Sequence, residues 1–203
     1  MDTAKIRLSA EEEALVCRTD WILTKNRVLE KIKIMLASLQ TQQQHRFDQF
    51  QHRFPQEINT TPKISKGENY KGLPYLILDY PRFFNREDVF AIRSFFWWGN
   101  FFSTTLQLSG TYKTEFEKQI IDSFEELQTR DFYTCINADP WEHHFDPDNY
   151  LSLNDLNKKG FEALIRQGSF IKLSKKLPVE QSNDAEKKLA QNFDQLITML
   201  VAG

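Results

Sequence analysis

Apolar residues recur at helical spacing through the first quarter of the chain. Ile22, Leu29, Leu36 and Gln43 form one heptad row, with Ile32, Leu39 and Arg46 beside it, then Phe47 and Phe50. A single stripe of this kind predicts a long amphipathic helix over residues 21–50. Asp20 is placed to cap its start. Its last third is rich in Gln and is expected to fray before Pro55. Upstream, Ser9 with Glu12 three residues on has the form of a capping box and opens a short helix.

The period then changes. Residues 60–72 hold Pro62, Gly67, Asn69 and Gly72, the punctuation of a loop. Residues 74–81 (PYLILDYP) read as a strand, and alternation puts Asp79 on the side of Ile77 and Tyr80 on the side of Leu76 and Leu78. In FAIRSFFWW-GN-FFSTTLQL, Gly99-Asn100 between two β-prone runs signals a hairpin of the II′ kind. Asn85 followed by Arg86, Glu87 and Asp88 offers the alternative, a helix cap that would consume residues 89–93. A second amphipathic helix is expected over 114–128, with Phe116, Ile120, Phe124 and Leu127 on one face. A strand at 132–136, a loop at 139–149 and a helix over 153–166 stopped by Gly168 follow. A strand at 170–173 and a final helix at 183–200, with Leu189, Phe193, Leu196 and Leu200 inward, complete the chain. The expectation is one α+β domain over residues 1–203: a mostly antiparallel central sheet packed by N- and C-terminal helices. Within it, 1–54 is helical, 73–137 an aromatic-rich sheet with one helix, and 150–203 mainly helical.

Composition narrows the function classes. A chain of 203 residues can bury a core without metal or disulfide support. Lys and Arg number 26 against 28 Asp and Glu, so no basic field recruits nucleic acid. The longest apolar stretch, 95–102, is broken by Gly99 and Asn100 and falls far short of the ~20 residues of a membrane span. The start carries Lys5 and Arg7, then Glu11, Glu12 and Glu13, with no continuous apolar run of a signal peptide, so the expected location is cytoplasmic. Cys17 and Cys135 stand alone, in neither a redox nor a zinc spacing, and are expected as two buried free thiols.

Three places carry candidate chemistry. In Trp141-Glu142-His143-His144-Phe145-Asp146, imidazoles adjoin carboxylates able to hold a metal or move protons. Adjacent histidines on an extended segment point apart, no HExxH or Cys/His spacing is present, and solvated loop histidines are the plainer expectation. Residues 63–72, with Lys63, Lys66, Lys71, Gly67 and Gly72, form a charged turn or a weak anion site. The third is the polar set Asp79, Tyr80, Arg82, Arg93, Ser94, Asn100, Ser103 and Thr105 inside an aromatic run. Arg93 shares a side with Phe95 and Trp97, and a buried Arg needs a carboxylate, for which Asp79 is the nearest strand acid. The pair reads as structural, or as the polar floor of a pocket walled by Trp97 or Trp98. Nine of the 20 residues from 83 to 102 are Phe or Trp, a density that implies a sheet covered on both faces, or else a cavity or contact patch.

The order of elements resembles one known layout. A helix opening with Asp20-Trp21 and carrying Asn26-Arg27 leads to Ile64-Ser65-Lys66 and Leu73-Pro74-Tyr75, and later to Lys159, Gly160, Phe161 and Phe170. This is similar to the bacterial YktB-like families of unknown function. The resemblance implies a single α+β domain and brings no catalytic residues. The functional expectation is a non-catalytic domain binding a small ligand or a protein partner, with Asp79, Tyr80, Arg82, Arg93, Trp97, Trp98, His143 and His144 as ligand-binding candidates. No cofactor or metal is assigned, and homodimerisation through exposed Phe or Trp patches is a further expectation; the Gln-rich stretch 40–51 is an interaction surface or, as the plainer expectation, a solvated helix tail. The alternative is a hydrolase or metal-dependent enzyme centred on residues 141–146.

Overall fold

A computed structural model describes residues 6–58 and 61–202. Thr60, the first residue of the expected 60–72 loop, lies outside them. Ser9 and Glu12 close a reciprocal capping box on α1 (Ala10–Cys17). The backbone breaks at Arg18, and α2 (Thr19–Asp48) begins there, so Asp20 lies inside the helix and caps nothing. The expected stripe is real, and its Leu29, Leu36, Leu39, Gln43 and Phe47 are buried.

Seven antiparallel strands form one sheet in the order β1-β2-β3-β4-β7-β5-β6. Half of it is a meander: β1 (Lys63–Tyr70), β2 (Leu73–Phe84), β3 (Val89–Trp97) and β4 (Phe101–Ser109). The segment expected as a loop is therefore an edge strand. Its polar sequence and the register shift after Gly67 suit an edge. The helix alternative at 89–93 fails because the Asn85 side chain takes the Glu87 and Asp88 N–H groups at 2.8 and 2.6 Å, making a tight turn. The β3–β4 hairpin forms, with Trp98-Gly99-Asn100 as a three-residue loop. Gly99 takes φ +71° at the third turn position, where a II′ turn would place glycine second.

The expected 114–128 helix divides at Ser123 into α3 (Gly110–Asp122) and α4 (Phe124–Thr129). Asp88 caps α3 from a distant turn through the Thr111 N–H at 2.7 Å, and Gly110 at φ +57° lets the carboxylate approach. Then come β5 (Tyr133–Cys135), β6 (Tyr150–Ser152), α5 (Lys158–Gln167), β7 (Phe170–Pro178) and α6 (Ala185–Val201). Asn157 caps α5 and Gly168 ends it. α2, α3, α5 and α6 cover one face of the sheet and enclose the main core. Among the described residues, no helix is long and apolar enough to cross a membrane.

Candidate functional site

Strand alternation sorts the expected residues to two faces. Leu76, Leu78 and Tyr80 of β2 and Phe90, Ile92 and Phe96 of β3 join the helix-side core. Tyr80 is buried there with its ring edge-on to Phe47, so it belongs to no site with Asp79. Ser94 faces the same side and accepts from Gln43 Nε2 at 3.1 Å. Trp98, half-buried against Phe96, is also on that side, away from Trp97. Asn100 is spent in its turn, and Arg82 donates to the Thr61 carbonyl at 3.0 Å.

The second face carries Ile77, Phe95, Trp97 and Phe101 as an apolar cluster. Beside it lies a polar layer of Asp79, Arg93, Ser103, Thr105, Lys172 and Ser174, all buried. Arg93 grips Asp79 with both ends of its fork, Nε to Oδ1 at 2.7 Å and Nη2 to Oδ2 at 3.0 Å. The expected pair is present, and desolvated geometry of this kind fixes orientation strongly.

The segment between β5 and β6, residues 136–149, folds back over this layer as a cover. Two successive Asx turns, at Asn137 and Asp139, shape its start. Tyr70, at the end of β1, holds it: its hydroxyl accepts from the His143 and His144 N–H groups at 2.7 and 2.9 Å and donates to Glu142 Oε2 at 2.8 Å. Burial foremost pushes the Tyr70 hydroxyl up to about 12. Lys172 Nζ donates to the Pro140 carbonyl at 2.9 Å and to the Glu142 carbonyl. Phe145 stacks on Tyr150 at 4.5 Å and meets Phe101 edge-on at 5.0 Å.

The histidines are therefore not solvated. His143 is half-buried, with Nε2 3.1 Å from Arg93 Nη1 and its ring 5.0 Å from Phe95. Burial first, then the Arg93 and Lys172 cations, hold its basicity well below the ordinary range. Arginine only donates, so Nε2 accepts and the proton of the neutral ring sits on Nδ1. His144 is 3% exposed, pointing the other way into carboxylates. Lys172 is 1% exposed, and burial lowers its ammonium from 10.5 to about 8.

The cover thus joins His143 to Arg93 and Asp79 through contacts that satisfy one another. A cleft of about 330 Å³ lies at the edge of this layer, between β5, β7 and the end of α5, lined by Cys135, Leu164, Gly168 and Lys172 among others. Cys135 is half-buried and Cys17 exposed, so the expectation of two buried thiols fails for both, although both are free. Burial raises the Cys135 thiol above its ordinary value. Of the expected anion segment, Lys66 pairs with Glu68 at 2.6 Å on β1. Tyr70, Lys172 and Tyr150 were not among the expected residues. The one signal was Lys172 between Ile171 and Leu173, a cation at a central-strand position.

A different surface stands out at the chain's start. None of the eight residues of α1 is buried, and every described residue before Lys25 is exposed. Leu15, Val16, Trp21, Ile22 and Leu23 are each about half exposed or more, at 46–69%. The stripe that is core from Leu29 onward continues outward through Ile22, which no described residue buries. Compared with known protein families, curated proteins and solved structures, the chain matches none.

Proposed function

We propose that this chain is a non-catalytic binding domain that docks a protein partner along its N-terminal helical arm, the partner being a second copy of the chain. The observation that carries the reading is the exposed arm, residues 6–24, with its seven large apolar side chains. An isolated helix shorter than ~12–15 residues is marginal in water, and α1 has eight that bury nothing. Exposed apolar patches of this kind mark association surfaces.

Charge favours self-association. Glu11, Glu12 and Glu13 cluster in the first turn of α1, whereas Arg18 stands at the break between the helices and Arg27 and Lys31 follow along α2. Two arms laid antiparallel bring the acids of each copy along the bases of the other. That arrangement is self-complementary, as a two-fold interface requires. A catalytic centre on residues 141–146 has less support, since Arg93, His143 and Lys172 are each engaged in holding the cover. A cytoplasmic setting is part of the proposal and rests on the two free thiols. Kinship with the YktB-like families is likewise proposed on element order alone.

Sedimentation equilibrium over a range of concentrations tests the reading. The expected mass is twice 24.0 kDa. Trp21→Asp with Ile22→Asp is expected to weaken the dimer on the order of 30-fold, the loss of one aromatic anchor of about 2 kcal/mol. Both side chains are exposed, so circular dichroism stays unchanged. A 24.0 kDa species at every concentration, or a dimer indifferent to both substitutions, overturns the proposal.

A further inference from the structure

The geometry points to a divalent-metal site on the cover, made by His144 Nδ1 with the carboxylates of Asp146 and Asp148. Their ligand atoms all lie within 4.8 Å of one another. Nδ1 is 3.0 Å from Asp146 Oδ2 and 3.8 Å from Asp148 Oδ1. The spacing His-x-Asp-x-Asp puts all three on one side of a tight turn, in which the Asn149 and Tyr150 N–H groups both reach the Asp146 carbonyl.

The imidazole supplies the independent observation, because it is buried and its other nitrogen is already assigned. Glu142 Oε2 lies 3.3 Å from Nε2 and also accepts from Tyr70. A carboxylate in that place holds the ring proton on Nε2. This is how histidine ligands are oriented and made more basic by a partner behind them. Nδ1 then carries the lone pair, which meets the Asp146 N–H at 3.4 Å and faces the carboxylates of Asp146 and Asp148. One N–H at that length offsets little of the repulsion between a lone pair and two carboxylates, which a cation among them relieves. The backbone that carries the ring is held on both sides: Asn149, itself buried, donates to the His144 carbonyl, and Tyr70 accepts from the His144 N–H.

One imidazole nitrogen and two carboxylate oxygens, with no thiolate, suit a borderline ion such as Zn²⁺, Mn²⁺ or Co²⁺ better than Ca²⁺, which takes oxygen ligands alone. Asp146 and Asp148 are exposed, so the outer side of the ion is open to water.

The test titrates the chelator-stripped 203-residue chain with Zn²⁺ by calorimetry and with Co²⁺ by visible absorption. The expected result is one ion per chain, with Co²⁺ bands of nitrogen–oxygen coordination. Asp146→Asn with Asp148→Asn removes both signals, and the exposed positions leave the fold intact. Glu142→Gln, which acts behind the imidazole, weakens binding about 10–100-fold. Absence of stoichiometric uptake, or equal uptake by the double variant, overturns the site. The cluster is then a buried histidine among carboxylates that takes up no ion.

Discussion

Arg93 shows how far single residues could be read from the chain. Its position among Phe95 and Trp97 and its need for an acid follow from period-2 alternation and the cost of a buried charge, and Asp79 answers that need. Tyr80 was legible as a side-mate of Leu76 and Leu78, but its assignment to a site with Asp79 ignored that same alternation. The histidines were misread for a different reason: the hydroxyl that draws them in, Tyr70, lies more than 70 residues earlier. No local pattern carries such a contact. Removal of one partner of the Asp79–Arg93 pair strands a buried charge. Asp79→Ala is expected to lower stability by about 3–5 kcal/mol in urea unfolding. Asp79→Leu with Arg93→Met is expected to recover most of that loss, and a double substitution as damaging as the single one contradicts the structural reading.

At the scale of elements, strong periodicity was enough and weak periodicity was not. The helices α2 and α6 and the strands β2 to β4 show in the sequence because one face of each is continuously apolar. β1 does not, because an edge strand needs no such face and carries Lys, Glu and Asn instead. The cover over residues 136–149 was legible as a loop but not as a lid, since its fastener is Lys172 on β7. That fastening has a pH signature. The folded-state value of Lys172 lies near 8, below the ordinary 10.5. The unfolded chain therefore binds the extra proton between these limits, and stability rises with pH through that window. Relative to Lys172→Met, the wild type is expected to gain about 2–3 kcal/mol between pH 7 and pH 10. A difference that stays flat over that range contradicts the burial of this ammonium. Above pH 10 the trend reverses, because Tyr70, Tyr80 and Tyr112 are held protonated up to about 12 in the folded state.

For the whole molecule, the sheet is covered twice, by helices on one face and by the 136–149 segment on the other, and the aromatic surplus fills both sides. The same accounting leaves the arm as the place where apolar surface meets water over several helical turns. The α2 stripe was visible in the sequence, yet where the body ends beneath it was not, because that depends on how far α6 and β1 reach along α2. The account therefore turns on whether α1 is covered in solution. Hydrogen–deuterium exchange of the α1 amides, measured at low and high protein concentration, tests this most directly. If two arms pair, protection of residues 10–17 rises with concentration while the sheet amides are unchanged. Exchange at the rate of an unstructured peptide at every concentration would contradict the account.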